Sequence, residues 1–240
     1  MRDTAIVLTL ALVLFASPAL GREVIATPLK AGARDHASLI SREEGDLCHG
    51  CSDEYHWTIG GWMTGNEVYR VYCEPSVCSA CEGGWKPISV TMYLYWDEAN
   101  SCALSVSAEI ERAGGRGAPC DDPSETLVAS QVITVGPFDP PGLWAVTVPL
   151  PEDAQTITDP FFATFRFHNT CGQLPDIVTS DGPCESCRSW NDWGSGWNDL
   201  CPYGFPGNLA LFTTLECQGV TPVLSMTWGA IKAMYIPKEG

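Results

Sequence analysis

From residue 87 onward the chain alternates apolar and polar side chains. Ile88, Val90, Met92, Leu94 and Trp96 interleave with Ser89, Thr91, Tyr93 and Tyr95. Cys102, Leu104, Val106, Ala108 and Ile110 interleave in the same way with Ala103, Ser105, Ser107 and Glu109. A period of two puts one face of an extended strand against a core and leaves the other in water. The intervening Asp97-Glu98-Ala99-Asn100-Ser101 predicts a hairpin turn between these two strands. Shorter candidates follow at Gln131–Val135, Leu143–Leu150, Phe161–His168 and Leu209–Cys217, and two precede them, at Tyr55–Ile59 and Glu67–Cys73. Connections such as Gly136-Pro137 and Pro140-Pro141-Gly142 separate them. Many short strands divided by Gly and Pro predict an all-β fold: an antiparallel two-sheet sandwich, jelly-roll-like.

The ends of the chain have a different character. Arg2, an apolar run from Ala5 to Ala16, and Ser17-Pro18-Ala19-Leu20-Gly21 form an N-terminal signal peptide with a cleavage site after Gly21. The run is shorter than the roughly 20 residues of a spanning helix, and no other transmembrane segment is expected. The expected organisation is therefore a signal peptide at 1–21, a flexible leader at 22–46 and a cysteine-rich segment at 47–84. A β-sandwich domain at 85–220 and a C-terminal tail at 221–240 complete it. The product is expected outside the cytoplasm, extracellular or periplasmic.

All twelve cysteines lie beyond the signal: Cys48, Cys51, Cys73, Cys78, Cys81, Cys102, Cys120, Cys171, Cys184, Cys187, Cys201 and Cys217. An even number in an exported chain points to disulfides. They fall into three zones, 48–81, 102–120 and 171–217, and pairing mostly within zones is expected because near neighbours close loops more readily. The alternative is structural zinc on Cys48, Cys51, Cys78 and Cys81, since two Cys-x-x-Cys turns can bring four soft ligands together.

Ser189 to Leu200 concentrates Trp190, Trp193 and Trp197 beside Asn191, Asp192, Asn198 and Asp199, with Gly194 and Gly196 between them. Indole rings stack on the apolar face of a sugar while amides and carboxylates bond its hydroxyls, so these seven residues are candidate ligand groups. The same carboxylates suit calcium through oxygen. Against both stands a structural role, with the rings covering the open edge of the sandwich.

Phe161-Phe162, Asp176, Asp181-Gly182, Ser189-Trp190-Asn191, Trp197-Asn198-Asp199-Leu200 and Phe205-Pro206-Gly207-Asn208-Leu209 together resemble a jelly-roll module of secreted bacterial proteins. Thr221-Pro222 and Thr227-Trp228-Gly229-Ala230-Ile231-Lys232-Ala233-Met234-Tyr235 are similar to tails that end exported proteins of environmental bacteria. The resemblance covers the C-terminal third. It implies an exported accessory or surface protein and supplies no catalytic residues.

Charge narrows the partners further. The chain carries a formal charge of -16, and between Gly117 and Ile231 only Arg166 and Arg188 face thirteen Asp and Glu. Such a surface repels phosphate backbones, so nucleic acid is not an expected partner. A glycan or an extracellular protein remains. No His-Glu-x-x-His, Gly-x-Ser-x-Gly or phosphate-cradling loop occurs, and His168 reads as a surface or capping residue rather than a base. The sequence thus favours a secreted, non-enzymatic binding or structural surface protein. A carbohydrate-binding accessory domain built on the Trp-rich loop is the alternative. A secreted hydrolase with carboxylates that no motif marks is a further one.

Overall fold

The computed structural model describes residues 24–28, 47–51, 55–75, 78, 81, 83–114, 120, 123–169 and 171–218. The signal peptide and the C-terminal tail lie outside the described residues. Among the described residues the regular structure is β, apart from short 3-10 turns such as Cys201–Tyr203. Those residues contain no helix long and apolar enough to cross a membrane.

Among the described residues fourteen strands run in chain order: β1 (Ile25–Pro28), β2 (Leu47–Cys51), β3 (Trp57–Gly60), β4 (Val68–Cys73), β5 (Trp85–Trp96), β6 (Leu104–Ala113) and β7 (Pro123–Ala129). Then come β8 (Ile133–Val135), β9 (Gly142–Pro149), β10 (Phe161–Phe167), β11 (Asp176–Thr179), β12 (Ser189–Asp192), β13 (Trp197–Asp199) and β14 (Leu211–Cys217). They form two seven-stranded sheets. Sheet A has the order β1-β3-β11-β5-β14-β2, with β9 also on β5. Sheet B has the order β13-β12-β4-β10-β6-β7, with β8 also on β6.

Sheet A is forked. β9 pairs with residues 89–96 of β5, so β11 (at Leu94 and Tyr95) and β14 (at residues 85–92) must share its opposite edge. The fork opens at Tyr93, whose N–H bonds the Ala210 carbonyl at 2.9 Å.

From β3 to β6, and again from β8 onward, the chain changes sheet at nearly every connection, which is jelly-roll-like routing. This corrects the expected hairpin at residues 97–101. β5 belongs to sheet A and β6 to sheet B, so the turn is a crossover between layers. Buried Asn100 holds it: its side-chain oxygen accepts the Cys102 N–H at 3.0 Å, and its amide donates to the Gln173 carbonyl at 2.9 Å.

The alternating faces meet between the sheets. Met92, Leu94 and Trp96 of β5 pack against Val106, Ala108 and Ile110 of β6 and Phe161, Ala163 and Phe165 of β10 in one core. The opposite face of β5, expected in water, is also largely buried. Tyr93, Leu143, Val178, Ala210 and Phe212 form a second cluster there, with the Tyr55 ring 4.8 Å from Tyr93 and the His49 ring 4.5 Å from Phe212. Strands on both edges of β5 bring apolar neighbours over what a solitary strand would expose.

Two expected segments dissolve into the sandwich. The leader region supplies β1, and residues 47–84 supply β2 and β3 to sheet A and β4 to sheet B. The cysteines also depart from the expectation. Pairs within a zone are Cys48–Cys78, Cys51–Cys73 and Cys184–Cys201. Pairs between zones are Cys81–Cys217, Cys102–Cys171 and Cys120–Cys187. Strand routing places distant residues side by side, as Cys217 beside Trp85, and so overrides sequence proximity. These pairings also overturn the zinc set, since Cys48, Cys51, Cys78 and Cys81 are bonded to sulfurs and no free cysteine remains.

Candidate functional site

The Trp-rich segment, expected as a loop, is a β-hairpin at the edge of sheet B. Asp192 stands opposite Trp197, Asn191 opposite Asn198 and Trp190 opposite Asp199. Trp193 to Gly196 make the turn, and Gly194 (φ 98) and Gly196 (φ 100) occupy backbone regions that suit only glycine well. The Asp192 carboxylate closes it by accepting the Gly194 and Gly196 N–H groups at 2.7 and 3.1 Å. Asn198 donates to the Gly196 carbonyl at 2.7 Å.

The remaining polar candidates are engaged likewise. Asp199 accepts the Cys187 and Cys201 N–H groups at 2.8 and 3.2 Å. Asn191 is buried, donating to the Val68 carbonyl and accepting the Trp62 indole N–H, both at 3.1 Å. Residues that resemble a sugar- or calcium-binding set thus build the hairpin and dock it on β4. Among the described residues no group of three or more His, Cys, Asp or Glu is placed to hold a metal ion.

The three tryptophans separate. Trp193 folds back onto the core, edge-on to Trp62 and Tyr203 at 5.8 Å each, and Trp62 lies edge-on to Phe205 at 4.8 Å. Trp190 and Trp197 stand instead on the outward face of sheet B, both half-buried. Between them and Phe162 lies Arg70, which is fully buried. Its guanidinium carbon is 3.9 Å from the Trp197 ring centroid, 4.6 Å from Phe162 and 5.2 Å from Trp190. A cation among ring faces is a stabilising arrangement, worth most where water is excluded.

Arg70 is the residue that sequence reasoning missed. Its only signal is its place in β4: Val68, Arg70 and Tyr72 point outward while Tyr69, Val71 and Cys73 face the core. Register then sets Arg70 between Trp190 on β12 and Thr164 on β10. Thr164 donates to Glu111 at 2.5 Å. Burial pushes the Glu111 carboxyl up from its ordinary range, against the Thr164 bond and the Arg70 charge.

Farther along the same face, Ser107 Oγ lies 2.7 Å from His168 Nε2 and Arg166 pairs with Glu109 at 3.6 Å. A Ser–His contact has the spacing of a nucleophile and its base. Catalysis also needs a group orienting the ring and donors for an oxyanion. Among the described residues no carboxylate bonds His168, and its contact with Ser107 links the end of β10 to β6.

Residues 46–215 match a family described as a domain of unknown function, DUF7451. The chain belongs to that family. The matched segment begins one residue before β2 and ends within β14, so it takes in sheet B with its Trp hairpin and all of sheet A except β1 and the end of β14. No curated protein matches the chain. Among solved structures, one similar to it contains the cysteine protease and lectin-like domains of a surface-layer-associated protein of Clostridium difficile. The identity is 9% and the TM-score 0.44, over 73% of this chain and 37% of that one.

Proposed function

We propose that this protein acts outside the cytoplasm as a non-catalytic binding or structural component of a surface. The supporting observation is the pairing of all twelve cysteines into six disulfides, three of them joining distant parts of the chain. Such crosslinks persist where thiols are oxidised. The acidic surface, which repels nucleic acid, agrees with that setting. The test is intact mass of the exported protein after alkylation, with and without prior reduction. No label before reduction and twelve labels after it are expected. Labelling of unreduced protein overturns the reading.

A second reading is contact with a neutral glycan through Trp197 and Trp190. It is favoured by the position of these two half-buried rings on the outward face of sheet B, whereas Trp193 packs on the core. Retention on insoluble neutral polysaccharides is the assay, comparing wild type with Trp197→Ala. Wild-type protein that is not retained ends this reading and leaves the first standing.

A further inference from the structure

β1 is an exposed edge strand of sheet A. All four of its residues are exposed, Ile25 at 59%, and among the described residues it pairs with β3 alone, from Ile25 opposite Gly60 to Pro28 opposite Trp57. Among the described residues, Thr58 Oγ1 donates to the Thr27 carbonyl at 3.2 Å and the half-buried Val24 packs against the core.

The chain to β2 does little to enforce this pairing. Trp57 stands opposite Thr179, which bridges Leu209, while Leu47 stands opposite Glu216. Leu209 and Glu216 are seven residues apart along the chain, at most about 25 Å, and the four steps between paired neighbours add about 19 Å. The 18 residues between Pro28 and Leu47 can span about 60 Å. That excess lets β1 reach the same edge of a neighbouring molecule. An exchanged β1 would make every contact it makes at home, so only the entropy of association opposes exchange.

We propose that the β3 edge accepts the β1 strand of a second copy of this chain, giving a strand-exchanged dimer. Cleavage after Gly21 would set the free amino terminus at Arg22, three residues before β1, and release the strand to exchange. Effective concentrations across short links are of order mM. Exchange therefore grows as copies are crowded, as on a surface.

The test uses the chain from Arg22 to Gly240, refolded at low and at high protein concentration and sized by light scattering. The Thr27→Cys/Thr58→Cys variant places a new cysteine on each of two directly opposed residues. A dimer fraction that rises with refolding concentration is expected, with the variant giving covalent dimers on non-reducing gels. Removal of residues 22–28 should abolish both. A wild type that stays monomeric at every concentration, with the cysteine pair closing only within one chain, overturns the proposal. A dimer that survives the deletion overturns it too, since its interface would lie elsewhere.

Discussion

Removing the Cys81–Cys217 bond should cost more stability than removing any short-range crosslink, and the disulfide network sets how much. The bond closes a sequence separation of 136 residues. An isolated loop of that length corresponds to about 5 kcal/mol of unfolded-state entropy. The unfolded chain is already shortened, however, by the Cys102–Cys171 and Cys184–Cys201 bonds. Their shortcut runs from Cys81 to Cys102, Cys171 to Cys184 and Cys201 to Cys217, about 50 residues, which lowers the expected loss to about 4 kcal/mol. The Cys184–Cys201 bond closes a separation of only 17 residues, for about 3 kcal/mol. At about 2–4 °C per kcal/mol for a domain of this size, the first loss lowers Tm by roughly 8–16 °C and the second by roughly 6–12 °C. Calorimetry of Cys81→Ala/Cys217→Ala and Cys184→Ala/Cys201→Ala, both with the other five bonds intact, gives the comparison. Equal losses, or a larger loss for the short loop, would refute the reasoning and locate the stabilisation in native contacts instead of chain entropy.

Three further outcomes follow from individual side chains. Trp193→Ala should destabilise the fold by about 2–4 kcal/mol, because it removes a half-buried ring from the Trp62–Tyr203 cluster, while leaving any polysaccharide retention unchanged; a melt and a pull-down measure the two. Gly207→Ala should lower Tm by several degrees even though alanine is small, since an added Cβ would sit 2.2 Å from the Ser180 carbonyl oxygen; a variant that melts with wild type would mean that this backbone approach can relax. Asp176 is pushed up to about 6 by burial and by the nearby Asp97 carboxylate, so folding favours its protonated form, and the stability it contributes is complete below pH about 4 and lost as pH rises to about 6. Asp176→Asn should therefore raise Tm at pH 7.5 and have little effect at pH 4, and an equal shift at both pH values would show that its charge is not responsible.

The sequence makes the short β3 and β8 legible along with the longer β4, β5, β6, β9, β10 and β14, and leaves the seven-residue β7 unmarked. β5, β6, β9, β10 and β14 all fall within a few residues of their expected positions. β11, β12 and β13 have three or four residues each, too few for a period of two to stand out from a polar loop. Routing was hidden for a different reason. A five-residue polar turn can join partners in one sheet or cross between two. What decides here is Asn100 bonded to Gln173, a contact made 73 residues away. The disulfides inherit that difficulty, because each inter-zone pair depends on where the crossovers lead. At the candidate site, residue types were visible but their engagements were not. Asp192 and Asn198 look like ligand groups until the turn that they close is drawn.

The charge balance can now be placed on the fold, and it restricts what the outward face of sheet B can meet. The described arginines are engaged internally. Arg112 pairs with Glu125 at 3.4 Å, Arg166 with Glu109 at 3.6 Å and Arg188 with Glu185 at 2.7 Å. Arg70 is enclosed by three rings. Cations that offset neighbouring carboxylates do not offer an anionic partner a site, and the unmatched acids leave the long-range field negative. An approaching polyanion, whether sulfated, uronic or phosphate-bearing, is therefore repelled before it reaches Trp197. A neutral sugar ring meets no such barrier. If the outward face binds anything through its tryptophans, a neutral partner is the one the field admits without penalty, and capture of such a partner should not weaken as salt is raised from about 50 mM to about 200 mM, the range over which binding that relies on phosphate contacts falls by orders of magnitude.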